Sequence, residues 1–99
     1  KRKVIEAKKV LIPDTYQLKV GPNPFNSRCS ISFRLNDEKN IDLDIYNLRG
    51  QFVETIYKGK LNEGLHQYYW SPSNISSGTY FIHVSNGKHS EFKKTIYLK

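Results

Sequence analysis

From Cys29 to Leu35 the chain alternates without a lapse: Cys29, Ile31, Phe33 and Leu35 are apolar, while Ser30, Ser32 and Arg34 are polar. Successive side chains of a strand point to opposite faces, so this run builds one apolar face and one wet face. On a helix the same residues would be scattered around the axis. The period returns in Ile41-Asp42-Leu43-Asp44-Ile45-Tyr46, with Ile41, Leu43 and Ile45 directed inward. Tyr16–Val20, Gln51–Lys58, Leu65–Trp70, Thr79–Ser85 and Ser90–Lys99 are further strand candidates at sandwich-like spacing, and no segment carries the helical period. The pattern predicts an all-β domain, a sandwich of about seven antiparallel strands.

The connections support this reading. Asn47-Leu48-Arg49-Gly50 reads as a hairpin turn with glycine where φ must be positive, and Asn86-Gly87-Lys88 as a second hairpin. Gly59–Gly64 reads as a loop, and Ser71–Gly78 as a polar connection. Gly21-Pro22-Asn23-Pro24 must interrupt any ladder, because each proline fixes φ and removes a donor. Phe25, just after this corner, is the side chain that the stiff turn aims inward. Cys29 is the single cysteine, which excludes an internal disulfide, and its parity places it in the core as a small hydrophobe.

Ninety-nine residues make one domain, able to bury roughly two-thirds of its unfolded surface. No run approaches the ~18 apolar residues of a membrane span. Lys1-Arg2-Lys3 is followed only by the short apolar run Val10-Leu11-Ile12, too little for a secretory signal, and there is no methionine. The expectation is a piece of a longer polypeptide, with residues 1–12 a linker from an absent upstream domain and residues 13–99 the folded body. The net charge of +7 invites a nucleic-acid reading. Residues 1–9, however, hold five basic residues against one acidic, and the remainder is an ordinary mixed surface. A nucleic-acid site would concentrate its cations on one face. No such partner is expected.

Catalytic signatures are missing. There is no glycine-rich phosphate loop, no paired-cysteine motif and no HExxH, and His66, His83 and His89 are scattered. The chain reads as a non-enzyme with neither cofactor nor metal. Asp42 and Asp44, beside Asp37 and Glu38, fall short of the six or more convergent oxygens that calcium requires, and read as a solvated strand face. Asn74-Ile75-Ser76 is formally a glycosylation sequon and carries no weight here. Tyr69, Phe81 and Tyr97 occupy positions opposite in parity to their strands' core residues. On one sheet they would form an exposed aromatic patch, such as a glycan-binding module displays. An accessory spacer or carbohydrate-binding module is therefore the alternative reading.

Several motifs then fall into one order. They are Ile12-Pro13-x-x-Tyr16-x-Leu18, Pro22-Asn23-Pro24-Phe25-Asn26, Ile31-Ser32-Phe33, Ile45-Tyr46-Asn47-x-x-Gly50-Gln51 and Gly64-Leu65-His66-x-x-x-Trp70. Ser77-Gly78-Thr79-Tyr80-Phe81 and Lys93-Lys94-x-Ile96-x-Leu98-Lys99 complete the series. Together, over about residues 12–99, they resemble the C-terminal sorting domain of type IX secretion cargo. The module is similar to the immunoglobulin-like domain of the flagellar hook-capping protein. The chain departs from the pattern at Gly21, where an aromatic residue often precedes the corner, and at Ser27, where a further proline is common.

The resemblance implies an immunoglobulin-like sandwich and a non-catalytic address carried by secreted or surface proteins. Such domains reach the periplasm, where an outer-membrane translocon or its shuttle recognises them. A sortase-like peptidase then commonly cleaves the linker, here within residues 1–15. Lys93, Lys94, Ile96, Leu98 and Lys99 are the implied recognition residues. Lys93, Lys94 and Lys99 would supply charge, with Ile96 and Leu98 holding the strand on the core. Pro22, Asn23, Pro24, Phe25, Gly50, Gly64, Trp70, Gly78 and Tyr80 would be structural. The partners are the upstream cargo, the translocon and the peptidase, with the domain itself monomeric.

Overall fold

The computed structural model describes residues 16–99; the linker and cleavage region expected within residues 1–15 lie outside them. Among the described residues seven strands form: β1 (Lys19–Gly21), β2 (Cys29–Leu35), β3 (Lys39–Asn47), β4 (Phe52–Leu61), β5 (Gly64–Trp70), β6 (Gly78–Ser85) and β7 (Ser90–Tyr97). They divide into a three-stranded sheet, β1-β2-β5, and a four-stranded sheet, β4-β3-β6-β7, with every neighbouring pair antiparallel. The chain changes sheet between β2 and β3, between β4 and β5, and between β5 and β6. This is a Greek-key β-sandwich of immunoglobulin-like strand order.

The alternation read from the sequence becomes the core. Cys29, Ile31, Phe33 and Leu35 from β2 face Ile41, Leu43 and Ile45 from β3 and Tyr80, Ile82 and Val84 from β6, all buried. Each large apolar side chain closed off this way contributes about 1.5–3 kcal/mol. Burial also pushes the Cys29 thiol up to about 11, so it stays protonated and inert.

The first hairpin closes as its residues require. Gly50 donates to the Asn47 carbonyl at 2.9 Å and sits at φ +83°, a region costly to any residue with a Cβ. The Asn47 side chain completes the turn by accepting from the Arg49 and Gln51 amides. At Asn86 the carboxamide oxygen likewise accepts from Lys88 and His89.

Two expectations are corrected. The first strand is shorter than Tyr16–Val20, because Gln17 takes φ +54° and breaks the extended run; Tyr16 and Leu18 are nonetheless buried. β4 does not end at Lys58 but continues through Gly59 to Leu61, so only Asn62 and Glu63 link it to β5. Glycine at Gly59 suits the strand, since a Cβ there would meet the Tyr57 hydroxyl at 3.0 Å.

Candidate functional site

The two motifs that frame the sequence meet in space along the outer edge of β7. One edge of this strand pairs with β6, through Tyr80 opposite Thr95 and Gly78 opposite Tyr97. The other edge is occupied by the Pro22–Phe25 corner, in which both the Gly21–Pro22 and Asn23–Pro24 peptides are cis. The Asn23 carboxamide imitates a strand: its oxygen accepts from the Ile96 amide at 3.0 Å and its nitrogen donates to the Lys94 carbonyl at 3.3 Å. Phe25 continues the ladder, donating to the Ile96 carbonyl at 3.0 Å and accepting from the Leu98 amide at 2.9 Å. Beyond β7, the Lys99 amide donates to the Ser77 hydroxyl at 2.7 Å.

A ring cluster locks this clasp from within. Phe25 packs on Trp70 at 5.6 Å and on Tyr97 at 5.3 Å between centroids, and Trp70 meets the edge of Tyr80 at 5.4 Å. The indole N–H of Trp70 donates to the Glu54 carboxylate at 3.1 Å, joining β5 to β4 across the two sheets. The Tyr80 hydroxyl donates to the Ser76 carbonyl at 2.7 Å. Four residues that the sequence singles out separately, Asn23, Phe25, Trp70 and Tyr80, thus form one assembly. Gly50 and Gly64 lie elsewhere, in the β3–β4 turn and at the start of β5, while Gly78 opens β6 opposite Tyr97.

Tyr97 and Glu54 were not among the predicted members. Tyr97 was legible in the second hairpin: once β6 faces the core through Tyr80, Ile82 and Val84, antiparallel pairing turns Thr95 and Tyr97 inward too. Nothing in the sequence signals Glu54.

The same register corrects the expected packing of the closing motif. Thr95 and Tyr97 are buried, whereas Ile96 is half-buried and Leu98 is 49% exposed. Thr95 and Tyr97, not Ile96 and Leu98, hold β7 on the core. Lys93, Lys94 and Lys99 are all exposed, and none has an ion-pair partner among the described residues. Lys93 shares the inward parity of Thr95 but lies uncovered at the sheet edge. Lys94 leaves the opposite, outer face beside Phe81. The outer edge of β7 is closed to a partner strand over this stretch, because the backbone groups from the Lys94 carbonyl to the Leu98 amide already have partners in the clasp.

Beside the clasp, Pro22, Pro24, Asn26, Arg28, Leu98 and Lys99 border a cleft of about 400 Å³. Its Arg28 guanidinium lies 4.2 Å above the Tyr69 ring.

The glycan patch anticipated from Tyr69, Phe81 and Tyr97 does not assemble. Tyr69 is exposed on β5 in the three-stranded sheet, Phe81 lies on β6 in the other, and Tyr97 is only 5% exposed. The strand carboxylates have protein partners: Asp42 pairs with Lys58 at 3.0 Å, and Asp44 accepts from Thr55 at 2.8 Å. Among the described residues no three His, Cys, Asp or Glu side chains gather as metal ligands would, and no helix is long and apolar enough to cross a membrane.

The class of protein is thus an immunoglobulin-like β-sandwich domain whose Pro22–Phe25 corner is clasped to its last strand. The secretion-system C-terminal sorting domain matches residues 19–98, most of the chain, and the protein belongs to that family. It is a sorting signal of type IX secretion, of a non-catalytic domain family whose cargo is exported to the cell surface or beyond it. Among solved structures it is similar to PorZ of Porphyromonas gingivalis, an essential bacterial surface component of the type IX secretion system. The TM-score is 0.54 at 16% identity, over 84% of this chain and 12% of that one. Identity this low speaks for a shared fold alone. No curated protein matches the chain significantly.

Proposed function

We propose that the β7 end of the sandwich is the element read by the outer-membrane translocon or its shuttle, through Lys93, Lys94 and Lys99 with Ile96 and Leu98. The supporting observation is the clasp. It fixes the backbone from Lys94 to Leu98 while leaving three cationic side chains without an ion-pair partner among the described residues. A rigid strand presents its side chains to a receptor without first being ordered, which removes part of the entropic cost of association. Residues 13–99 are the address and residues 1–12 the tether to an upstream cargo. The domain performs no chemistry, acts as a monomer and crosses the periplasm folded. A sortase-like peptidase then cuts within residues 1–15.

Deleting Lys93–Lys99 would be a poor test, because it removes the buried Thr95 and Tyr97 and so unfolds the body. Charge reversal at exposed positions separates recognition from folding. A signal peptide, a fluorescent reporter and residues 1–99 are joined in a host with the type IX apparatus. The wild type should reach the surface or medium and accumulate in the periplasm of a translocon mutant. Combined Lys93→Glu, Lys94→Glu and Lys99→Glu should trap the reporter although the domain melts normally. Unimpaired export of that folded variant would refute the assignment.

A further inference from the structure

The outer face of the four-stranded sheet carries an aromatic row that parity counting in single strands did not reveal. Phe52 meets the edge of Tyr46 at 6.1 Å, Tyr46 meets His83 at 5.7 Å, and His83 stacks on Phe92 at 4.3 Å. Phe81 meets Phe92 edge-on at 6.4 Å. The row therefore crosses all four strands. At its centre is a groove of about 230 Å³ bounded by Tyr46, Leu48, Phe81, His83 and Phe92. Phe52 is 59%, Phe92 56% and Leu48 68% exposed. A contiguous apolar surface of this kind on a small domain marks an interaction site.

Charge decides what can sit there. Lys94 lies opposite Phe81 on the same face, and Arg49 stands in the chain between the groove residues Leu48 and Gly50 while bordering the neighbouring cleft with Ser76 and Tyr80. Neither cation has an ion-pair partner among the described residues. Of the carboxylates on the face, Asp42 is paired with Lys58, while Asp44, opposite His83, accepts from the neutral Thr55 hydroxyl and keeps its charge. The groove is thus walled by rings and Leu48, with Asp44 opposite His83 at one side and the cations Lys94, opposite Phe81, and Arg49, in the adjoining turn, at the other. Ring geometry disfavours a sugar: the Tyr46–Phe52, Tyr46–His83 and Phe81–Phe92 pairs stand at 77°, 73° and 89°, so they offer no common plane. Apolar aromatic patches with a polar rim are where protein partners place their anchoring side chains.

We propose that an acidic segment of the outer-membrane receptor docks on this face, seating one apolar side chain in the groove around Tyr46, Leu48, Phe81 and Phe92. Its carboxylates meet Lys94 and Arg49. The proposal rests on the sorting reading and names the surface that the reading leaves open. With the β7 backbone satisfied from the Lys94 carbonyl to the Leu98 amide, the receptor reads side chains there, and Phe92, the exposed ring of β7, lies on the same face as Lys94.

The test uses the same reporter fusion with Leu48→Ser, Phe92→Ser and Arg49→Glu, none of which touches the closing motif. Leu48→Ser and Phe92→Ser should each lower the exported reporter about tenfold, equivalent to ~1.4 kcal/mol of lost binding. Arg49→Glu should produce a smaller loss, because its exposed charge acts through a screened contact. Leu48 sits in an exposed turn, so an unchanged melting temperature for Leu48→Ser separates recognition from folding even if Phe92→Ser is unstable. Normal export of folded Leu48→Ser overturns the docking surface and leaves the sorting function standing. A wild-type fusion that stays in the periplasm overturns both. If wild-type chain is retarded on a polysaccharide gel and Phe92→Ser is not, the face belongs to a glycan. If sedimentation shows a dimer that Leu48→Ser abolishes, it belongs to a second copy. Either result also overturns the proposal.

Discussion

The four-stranded sheet has two outer edges, and they are protected by opposite means. The β7 edge is straight and covered: Asn23 and Phe25 take its backbone groups from Lys94 to Leu98, and the Phe25 ring is sealed against Trp70 and Tyr97. The β4 edge is uncovered but irregular. Its register with β3 shifts between Leu43 and Asp44 and again between Ile45 and Tyr46, and it carries Lys58 and Lys60. Bulges and lysines are the usual defence of an edge left open, because a twisted, charged ladder cannot template another strand. Covering keeps a strand regular, and irregularity keeps it unpaired. The strand proposed for recognition has the first protection, which holds its side chains in a defined array.

Removing the clasp should break this asymmetry most severely. Phe25→Ala empties a buried site between Trp70 and Tyr97 and should destabilise the fold by about 3–5 kcal/mol. Chemical denaturation should register that loss, with the Ile96 and Leu98 amides exchanging fastest relative to the parent. Asn23→Ala deletes one acceptor and one donor from the β7 edge and should cost about 1–3 kcal/mol. Asn23→Asp keeps the acceptor to Ile96 and should recover part of the loss.

The β4 side should respond more weakly. Glu54→Ala removes the carboxylate that takes the Trp70 indole proton, a partly exposed bond worth roughly 1 kcal/mol. Its effect should show in tryptophan fluorescence while the Ile96 and Leu98 amides keep their protection. Rapid exchange at Ile96 in Glu54→Ala would mean the two edges are coupled and the contrast is wrong.

The smallest effect lies between the edges, at His83. Burial against Phe92 and Tyr46 lowers its affinity for a proton, only partly offset by Asp44 and Asp42. The unfolded chain therefore binds that proton more readily than the folded one. Stability from this group is fully present above its ordinary value of 6.5 and is lost as pH falls through the lower folded value. The pH dependence of the melting temperature should flatten below neutrality in His83→Phe. An unchanged slope would remove His83 as its source.

How much of this was readable depended on whether each strand has one apolar face or two. β2 and β3 alternate strictly, so their inward residues followed from parity alone. β7 has no single apolar face: Thr95 and Tyr97 lie on one side and Phe92 and Ile96 on the other, with Leu98 just beyond its end. Hydrophobicity pointed to Ile96 and Leu98, and only the hairpin register with β6 gives the correct face. β4 was cut short at Gly59 because glycine ordinarily signals a break, yet at this edge it relieves the approach of the Tyr57 hydroxyl. The clasp was half visible. The stiffness of Pro22–Pro24 and the anchoring role of Phe25 could be inferred, but their target across the fold could not. The aromatic row was out of reach because it depends on the order β4-β3-β6-β7, which no local pattern encodes.

The bond from Ile96 to Asn23 spans 73 positions of the chain. Contacts of such separation form only after the intervening segments are in place, since loop closure must be compensated by everything folded between. An incompletely folded copy therefore lacks the ordered β7 surface altogether. The clasp couples address to maturity, so a receptor that binds this surface rejects unfinished molecules without inspecting any other part of them.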